Sequence, residues 1–177
     1  PIAVTGQDCI GQARTGTGKT AAFSLPVLQQ LDLRRPGMQA LILAPTRELS
    51  EQVAAEIRKL CTSKSLSIAV LVGGKPVRPQ ENQLKKGAQI AVGTPGRVID
   101  HINRGNLQLG TLGFVVLDEA DRMLDIGFRP DIEKILRKCP EKRQTLLLSA
   151  TLPPPVERLA NRYMQNPVMI DLSEDKG

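Results

Sequence analysis

Apolar residues fall in short, nearly continuous runs: QALILA from Gln39, LSIAVLV from Leu66, AQIAVG from Ala88, LGFVVLD from Leu112, RQTLLLSA from Arg143 and PVMIDL from Pro167. Apolar runs without polar alternation predict strands covered on both faces. Between them, Leu49, Val53, Ile57 and Leu60, and again Val98, Ile99 and Ile102, recur every three or four residues, the stripe of a helix lying on a core. Strands alternating with helices predict an α/β fold: a doubly wound, mainly parallel sheet flanked by helices. In such sheets ligands gather outside the carboxyl ends of the strands.

The chain of 177 residues is 41% apolar and 24% charged. It is long enough for one sizeable core and has neither the composition of a disordered segment nor a run long enough to span a bilayer. No internal repeat or low-complexity tract marks a second core. The opening residues carry no secretory pattern, and Cys9, Cys61 and Cys139 are widely spaced, so a soluble protein of the reducing cytoplasm is expected. A net charge of +6 and a pI near 9.5 permit a polyanionic partner without demanding one. Phe23, Phe114, Phe128 and Tyr163 are the whole aromatic complement. A nucleic acid would therefore be held by its backbone rather than by base stacking.

The stretch ARTGTGKT, Ala13 to Thr20, nearly matches the phosphate-loop pattern G-x-x-x-x-G-K-[ST], with alanine in the first position. It lies between a strand expected at DCIGQA and a helix expected over KTAAFSLPVLQQL, which Pro26 should end or kink. Gly16 and Gly18 allow backbone angles that turn N–H groups toward a phosphate, and the helix N-terminus adds its positive end. Lys19 supplies charge for the β and γ phosphates and Thr20 a hydroxyl for Mg²⁺. An acid should then stand at a strand end on the same sheet edge. Asp118 comes directly after the run Phe114 to Leu117 and can reach Mg²⁺ through its water shell; Glu119 can polarise an attacking water. Without the phosphate loop, DEAD would read as an acidic helix start.

Two further stretches, APTREL and GTPGRV, place Thr46 and Thr94 where helix N-caps fall, with Pro95 in the first helical position. They read either as well-capped helices with surface arginines or as two helix starts aiming N–H groups, Arg47 and Arg97 at phosphates.

ARTGTGKT, APTRELS, GG, TPGR, DEAD and SAT appear in one order over essentially the whole chain, and together they resemble motifs I, Ia, GG, Ib, II and III of the DEAD-box RNA helicases. The resemblance makes Ala13 a family marker rather than a defect. It implies that residues 1–172 are the first RecA-like P-loop NTPase domain and that 173–177 begin a linker to a second. It implies an ATP loop of Ala13, Arg14, Thr15, Gly16, Thr17, Gly18, Lys19 and Thr20. Lys19, Asp118 and Glu119 would be catalytic, and Thr20 and Asp118 would hold Mg²⁺, largely through water. RNA backbone would be bound by Pro45, Thr46, Arg47, Gly74, Thr94, Gly96 and Arg97, with a helix at Val98 to Arg104 as the wedge that bends the strand. Ser149 and Thr151 would couple ATP state to strand separation through contacts with Asp121; without the resemblance, Ser149-Ala150-Thr151 reads as a turn or cap.

The implied activity is RNA-stimulated ATP hydrolysis with local duplex unwinding, with RNA, a second RecA-like domain and ribonucleoprotein components as partners. The family's adenine-reading glutamine would lie upstream of Pro1, and the second domain's arginine fingers lie outside this sequence. This segment alone is therefore expected to bind ATP or ADP weakly and to turn over little. An ATP-gated RNA clamp is the competing reading, and a DNA translocase is disfavoured by the motif set. His101 reads as an ordinary surface or helix-end histidine. The pairs Arg34-Arg35, Lys85-Lys86 and Lys142-Arg143 read as solvated turns and helix ends.

Overall fold

The computed structural model describes residues 6–12 and 17–171, with residues 17–22 as backbone alone. In chain order the described elements are β1 (Cys9–Gln12), α1 (Thr17–Gln30), β2 (Ala40–Leu43), α2 (Arg47–Leu60), β3 (Ile68–Leu71), α3 (Val77–Lys85) and β4 (Ile90–Gly93). Next come α4 (Pro95–Asn103), β5 (Phe114–Leu117), α5 (Ala120–Ile126), α6 (Arg129–Lys138), β6 (Gln144–Ser149), α7 (Pro154–Tyr163) and β7 (Val168–Asp171). Each apolar run of the sequence contains one of the strands β2 to β7.

The strands form one sheet in the order β3-β4-β2-β5-β6-β1-β7, and every pairing is parallel. Successive side chains of a strand point to opposite faces, so a strand buried on both must be apolar throughout. β2 shows the consequence. Ala40 and Ile42 join a core with Phe23, Val27, Val53, Ala54 and Ile57 from α1 and α2. Leu41 and Leu43 join the opposite core with Val98, Met123, Ile132, Ile135, Leu136, Val156 and Leu159 from α4 to α7. A fully buried aliphatic side chain of this size contributes about 1.5–3 kcal/mol, which is why the helical stripes, rather than propensity, hold the helices to the sheet.

Of the two outcomes expected at Pro26 one is set aside, and the expectation for Arg143 is overturned. Pro26 lies inside α1 and does not end it, since the helix runs on to Gln30. Arg143 is not a solvated turn residue: its guanidinium donates to the carbonyl oxygens of Pro140 at 2.9 Å and Tyr163 at 2.9 Å, and to Thr145 Oγ1 at 3.0 Å. It ties the entry of β6 to the end of α7, a role that needs the fold to bring residues twenty apart together. Arg34 and Lys85 do sit in exposed ion pairs, with Asp32 and Glu81.

The carboxyl ends of β3 and β4 approach too closely for a side chain. A Cβ on Gly93 would press on the Leu71 carbonyl oxygen, with Leu71 Cβ at 2.9 Å and Val98 Cγ2 at 3.0 Å. Because the obstruction is backbone, Gly93→Ala is expected to cost about 1–3 kcal/mol of unfolding free energy. Denaturant unfolding of the two proteins measures it, and a midpoint equal to the parent's would contradict this packing.

Candidate functional site

The register of the central strands places the acidic motif. Leu117 of β5 lies opposite Leu147 of β6, which lies opposite Ile10 of β1. One residue beyond that row comes Asp118, fully buried, whose N–H donates to the Leu43 carbonyl at 2.9 Å and so extends the β5–β2 ladder past the strand. Two residues beyond it, Ser149 is opposite Gln12, and the Gln12 side-chain amide donates to the Ala150 carbonyl at 3.3 Å. The end of β1, which leads toward the phosphate-loop sequence, therefore stands beside the SAT sequence and one strand from Asp118. Ala13, Arg14, Thr15 and Gly16 lie outside the described residues, as do the side chains of Thr17, Gly18, Lys19 and Thr20. The backbone of α1 begins at Thr17, at this same end of the sheet.

Glu119 turns the chain from β5 directly into α5. Its backbone is left-handed, φ 50° and ψ 53°, which for a residue with a side chain costs on the order of 1–3 kcal/mol. Its carboxylate is 11% exposed and meets Arg122 Nη1 at 3.4 Å. Backbone strain is tolerated where the surroundings over-determine the conformation, and here a buried strand and a packed helix fix both ends of the turn.

The next acid is tied across to β6. Asp121 Oδ2 accepts from the Thr151 hydroxyl at 2.8 Å and the Thr151 N–H at 3.1 Å. The Asp121 N–H in turn donates to Ser149 Oγ at 3.1 Å, and that hydroxyl donates to the Thr151 carbonyl at 2.6 Å. Asp121, Ser149 and Thr151 thus form one closed circuit between the turn after β5 and the turn after β6. Partial burial works to raise the pKa of Asp121, but the hydrogen bonds from Thr151, Arg122 and Ser149 outweigh it and hold the carboxyl below its ordinary value.

Farther along the same sheet edge lie the residues of APTREL, GG and TPGR. Thr46 caps α2, its Oγ1 accepting from the Leu49 N–H at 3.1 Å, while Pro45 beside it is buried. Arg47 is exposed, held by Glu51 at 3.1 Å and lying over the turn of Gly74. Gly74 has φ 76°, a conformation that favours glycine, and its Cα faces Arg47, whose Nη1 would lie 3.1 Å from a Cβ there. Thr94 occupies the cap position of α4 with Pro95 next, but its side chain makes no capping hydrogen bond. Gly96 is exposed. Arg97 turns inward: its side chain is only 17% exposed, and Nη1 donates to the Lys75 carbonyl at 2.9 Å and to Gln80 Oε1 at 3.3 Å.

His101 is not a surface histidine. It is fully buried in the last turn of α4, with Nε2 2.8 Å from Gln80 Oε1 and Nδ1 3.1 Å from Asn106 Nδ2. Burial, the largest influence, pushes its pKa down. Gln80 carried no signal in the sequence, being one polar residue in a polar helix; only packing makes it a buried one.

The described residues contain no gathering of three or more His, Cys, Asp or Glu side chains. A buried carboxylate one strand from the end of β1 is a hard oxygen donor, which fits Mg²⁺ better than a metal that prefers thiolate or imidazole. No helix among the described residues is long and apolar enough to cross a membrane.

A parallel sheet covered on both faces, with an acid pair after a central strand and a polar circuit to its neighbour, is a RecA-like arrangement. The chain belongs to the DEAD/DEAH box helicase family, whose model matches residues 1–159. It is 51% identical over 96% of its length to the ATP-dependent RNA helicase CshA of Listeria monocytogenes, of which it covers 33%. It is 49% identical, again over 96% of its length, to the DEAD-box ATP-dependent RNA helicase CshA of Geobacillus kaustophilus, covering 36% of that protein. The chain thus spans about a third of the length of these relatives. A crystal structure of a DEAD box protein from the hyperthermophile Methanococcus jannaschii superposes with a TM-score of 0.91 at 46% identity, over 96% of this chain and 46% of the other.

The Asp121 circuit has a pH signature. A carboxyl whose folded pKa is depressed adds stability above its unfolded value, about 3.9, and loses it as pH falls through the lower folded value. Asp121→Asn should therefore destabilise the protein at neutral pH, and the difference from the parent should shrink below about pH 4. Urea midpoints of both proteins across that range measure it; a difference independent of pH would contradict the carboxylate's role.

Proposed function

We propose that the protein carrying this domain is an ATP-dependent RNA helicase, with a second RecA-like domain closing on this one over single-stranded RNA. The observation that carries the reading is the Asp121–Ser149–Thr151 circuit, because it joins the turn bearing Asp118 and Glu119 to the strand lying beside the end of β1. A change in what the acid pair holds is transmitted to β6 through hydrogen bonds rather than across solvent. That is the coupling a nucleotide-driven machine requires, and a plain phosphate-binding turn does not need it.

In this reading the loop from Ala13 to Thr20 binds ATP, with Lys19 on the phosphates and the hydroxyl of Thr20 toward the metal. Asp118 holds Mg²⁺, largely through water, and Mg²⁺ supplies neutralisation of the charge on the transferred phosphoryl group. Glu119 orients and deprotonates the attacking water. Thr46, Arg47, Gly74, Thr94 and Gly96 offer exposed or half-exposed groups along one sheet edge for RNA backbone, with Pro45 and Arg97 supporting from beneath. Contacts of that kind carry little sequence preference, and the 2′-hydroxyl is left to distinguish RNA from DNA. Residues 1–172 are one functional unit in this scheme, ribonucleoprotein components are its setting, and the cytoplasm is its compartment.

ATPase rates of the full-length protein, with and without RNA, test this against a slow ATP-gated clamp. RNA should stimulate turnover of the parent, and Glu119→Gln should lower the stimulated rate by about 10²-fold or more while ATP still binds. Equal rates for the two proteins would sink the enzymatic reading.

A further inference from the structure

Gln80 sits at the centre of a buried polar chain that the helicase reading leaves unused. It is 7% exposed, on the inner side of α3, and it touches two segments that are distant in sequence. Its amide nitrogen donates to the Val72 carbonyl at 2.9 Å, just before the Gly73-Gly74 turn. With that assignment its oxygen is an acceptor, and it receives Arg97 Nη1 at 3.3 Å and His101 Nε2 at 2.8 Å, both from α4.

The geometry fixes the histidine. Since Gln80 Oε1 can only accept, His101 must carry its proton on Nε2, and Nδ1 is left to accept from the Asn106 amide at 3.1 Å. Every polar atom of the imidazole is then used, as a fully buried histidine requires. Arg97 closes the circuit by donating to the Lys75 carbonyl at 2.9 Å, on the far side of the same turn. The turn from Val72 to Lys75 is therefore gripped at both ends. One grip is direct from Gln80, and the other runs through Arg97, which also donates to Gln80; His101 reaches the turn only by holding Gln80.

We infer that Gln80 and His101 are positioning residues for RNA engagement: they lock the Gly73-Gly74 turn to the start of α4, so that the two segments present one rigid surface to the RNA backbone. The inference rests on the helicase reading of that sheet edge. Neither residue need touch RNA. Removing Gln80 takes a hydrogen bond from Val72, Arg97 and His101 at once, and removing His101 leaves Gln80 and Asn106 each short of one, so the turn carrying Gly74 is held less firmly against Thr94 and Gly96. RNA affinity should fall while the ATP chemistry, at β5, β6 and β1 on the other side of β2, is untouched.

The test is RNA-stimulated ATPase of the full-length protein, with the half-saturating RNA concentration and kcat at saturating RNA read separately. Gln80→Met and His101→Phe should each raise the half-saturating RNA concentration by about tenfold, with kcat within about twofold of the parent. His101→Gln, whose amide nitrogen can still donate to Gln80, should stay within about threefold of the parent. The relay is overturned if Gln80→Met and His101→Phe bind RNA as the parent does, or if His101→Gln loses as much as His101→Phe, which would make the role one of packing alone. Arg47→Ala, a change outside the relay, separates the two readings. If it weakens RNA binding while the relay variants do not, only the relay fails; if RNA stimulates none of the proteins, including the parent, both fall. Nitrogen chemical shifts of the imidazole give a measurement independent of variant folding: a proton on Nδ1 instead of Nε2 would overturn the relay.

Discussion

A parallel sheet covered by helices on both faces leaves polar chemistry nowhere to go but its ends. Here the strands are apolar almost without interruption, because α1 and α2 bury one face and α4 to α7 the other. All strands run in one direction, so every chain segment emerges from its strand on the same edge. The acid pair, the SAT turn, the start of α1, the two glycines and the TPGR helix collect there because the chain reaches them on leaving β5, β6, β1, β3 and β4. Function at this edge is a consequence of the burial rule that builds the sheet.

Two polar circuits then divide the edge. One joins Asp121 to Ser149 and Thr151 beside the candidate ATP site, and the other joins Gln80 to His101, Arg97 and the turn before α3. Both link segments that leave different strands, and each is anchored on buried groups, Ser149 in one and Gln80 and His101 in the other, which are costly to leave unsatisfied. Stiffness is the shared result. The left-handed Glu119 fits the same scheme, since a strained residue persists only where its neighbours hold it.

Most of the strands and the acid motif were legible because their signals are local: an apolar run, a phosphate-loop spacing, an Asp directly after Leu117. Thr46 as a cap was legible for the same reason, and its hydroxyl does cap α2. Thr94 looked alike in sequence and does occupy the cap position of α4, yet its hydroxyl makes no such bond. Pro26 could end or kink α1 on sequence grounds, and the helix runs on through it to Gln30. His101 does stand at a helix end, but its burial, like the anchoring of Arg143, was not legible, because one charged or titratable residue at a helix end or turn carries no mark of what will pack over it.

By itself, the sequence determined the class of fold, the order of the elements and the types of residue at each strand end, since these derive from hydrophobic period and short motifs. Tertiary structure alone decided which strand ends are neighbours. The crossover that sets β1 beside β6 rather than β2 brings Gln12 to Ser149, and the return of the chain through α3 and β4 brings Gln80 to His101 and Arg97. Those meetings depend on contacts between residues far apart in the chain, and local patterning has no term for them.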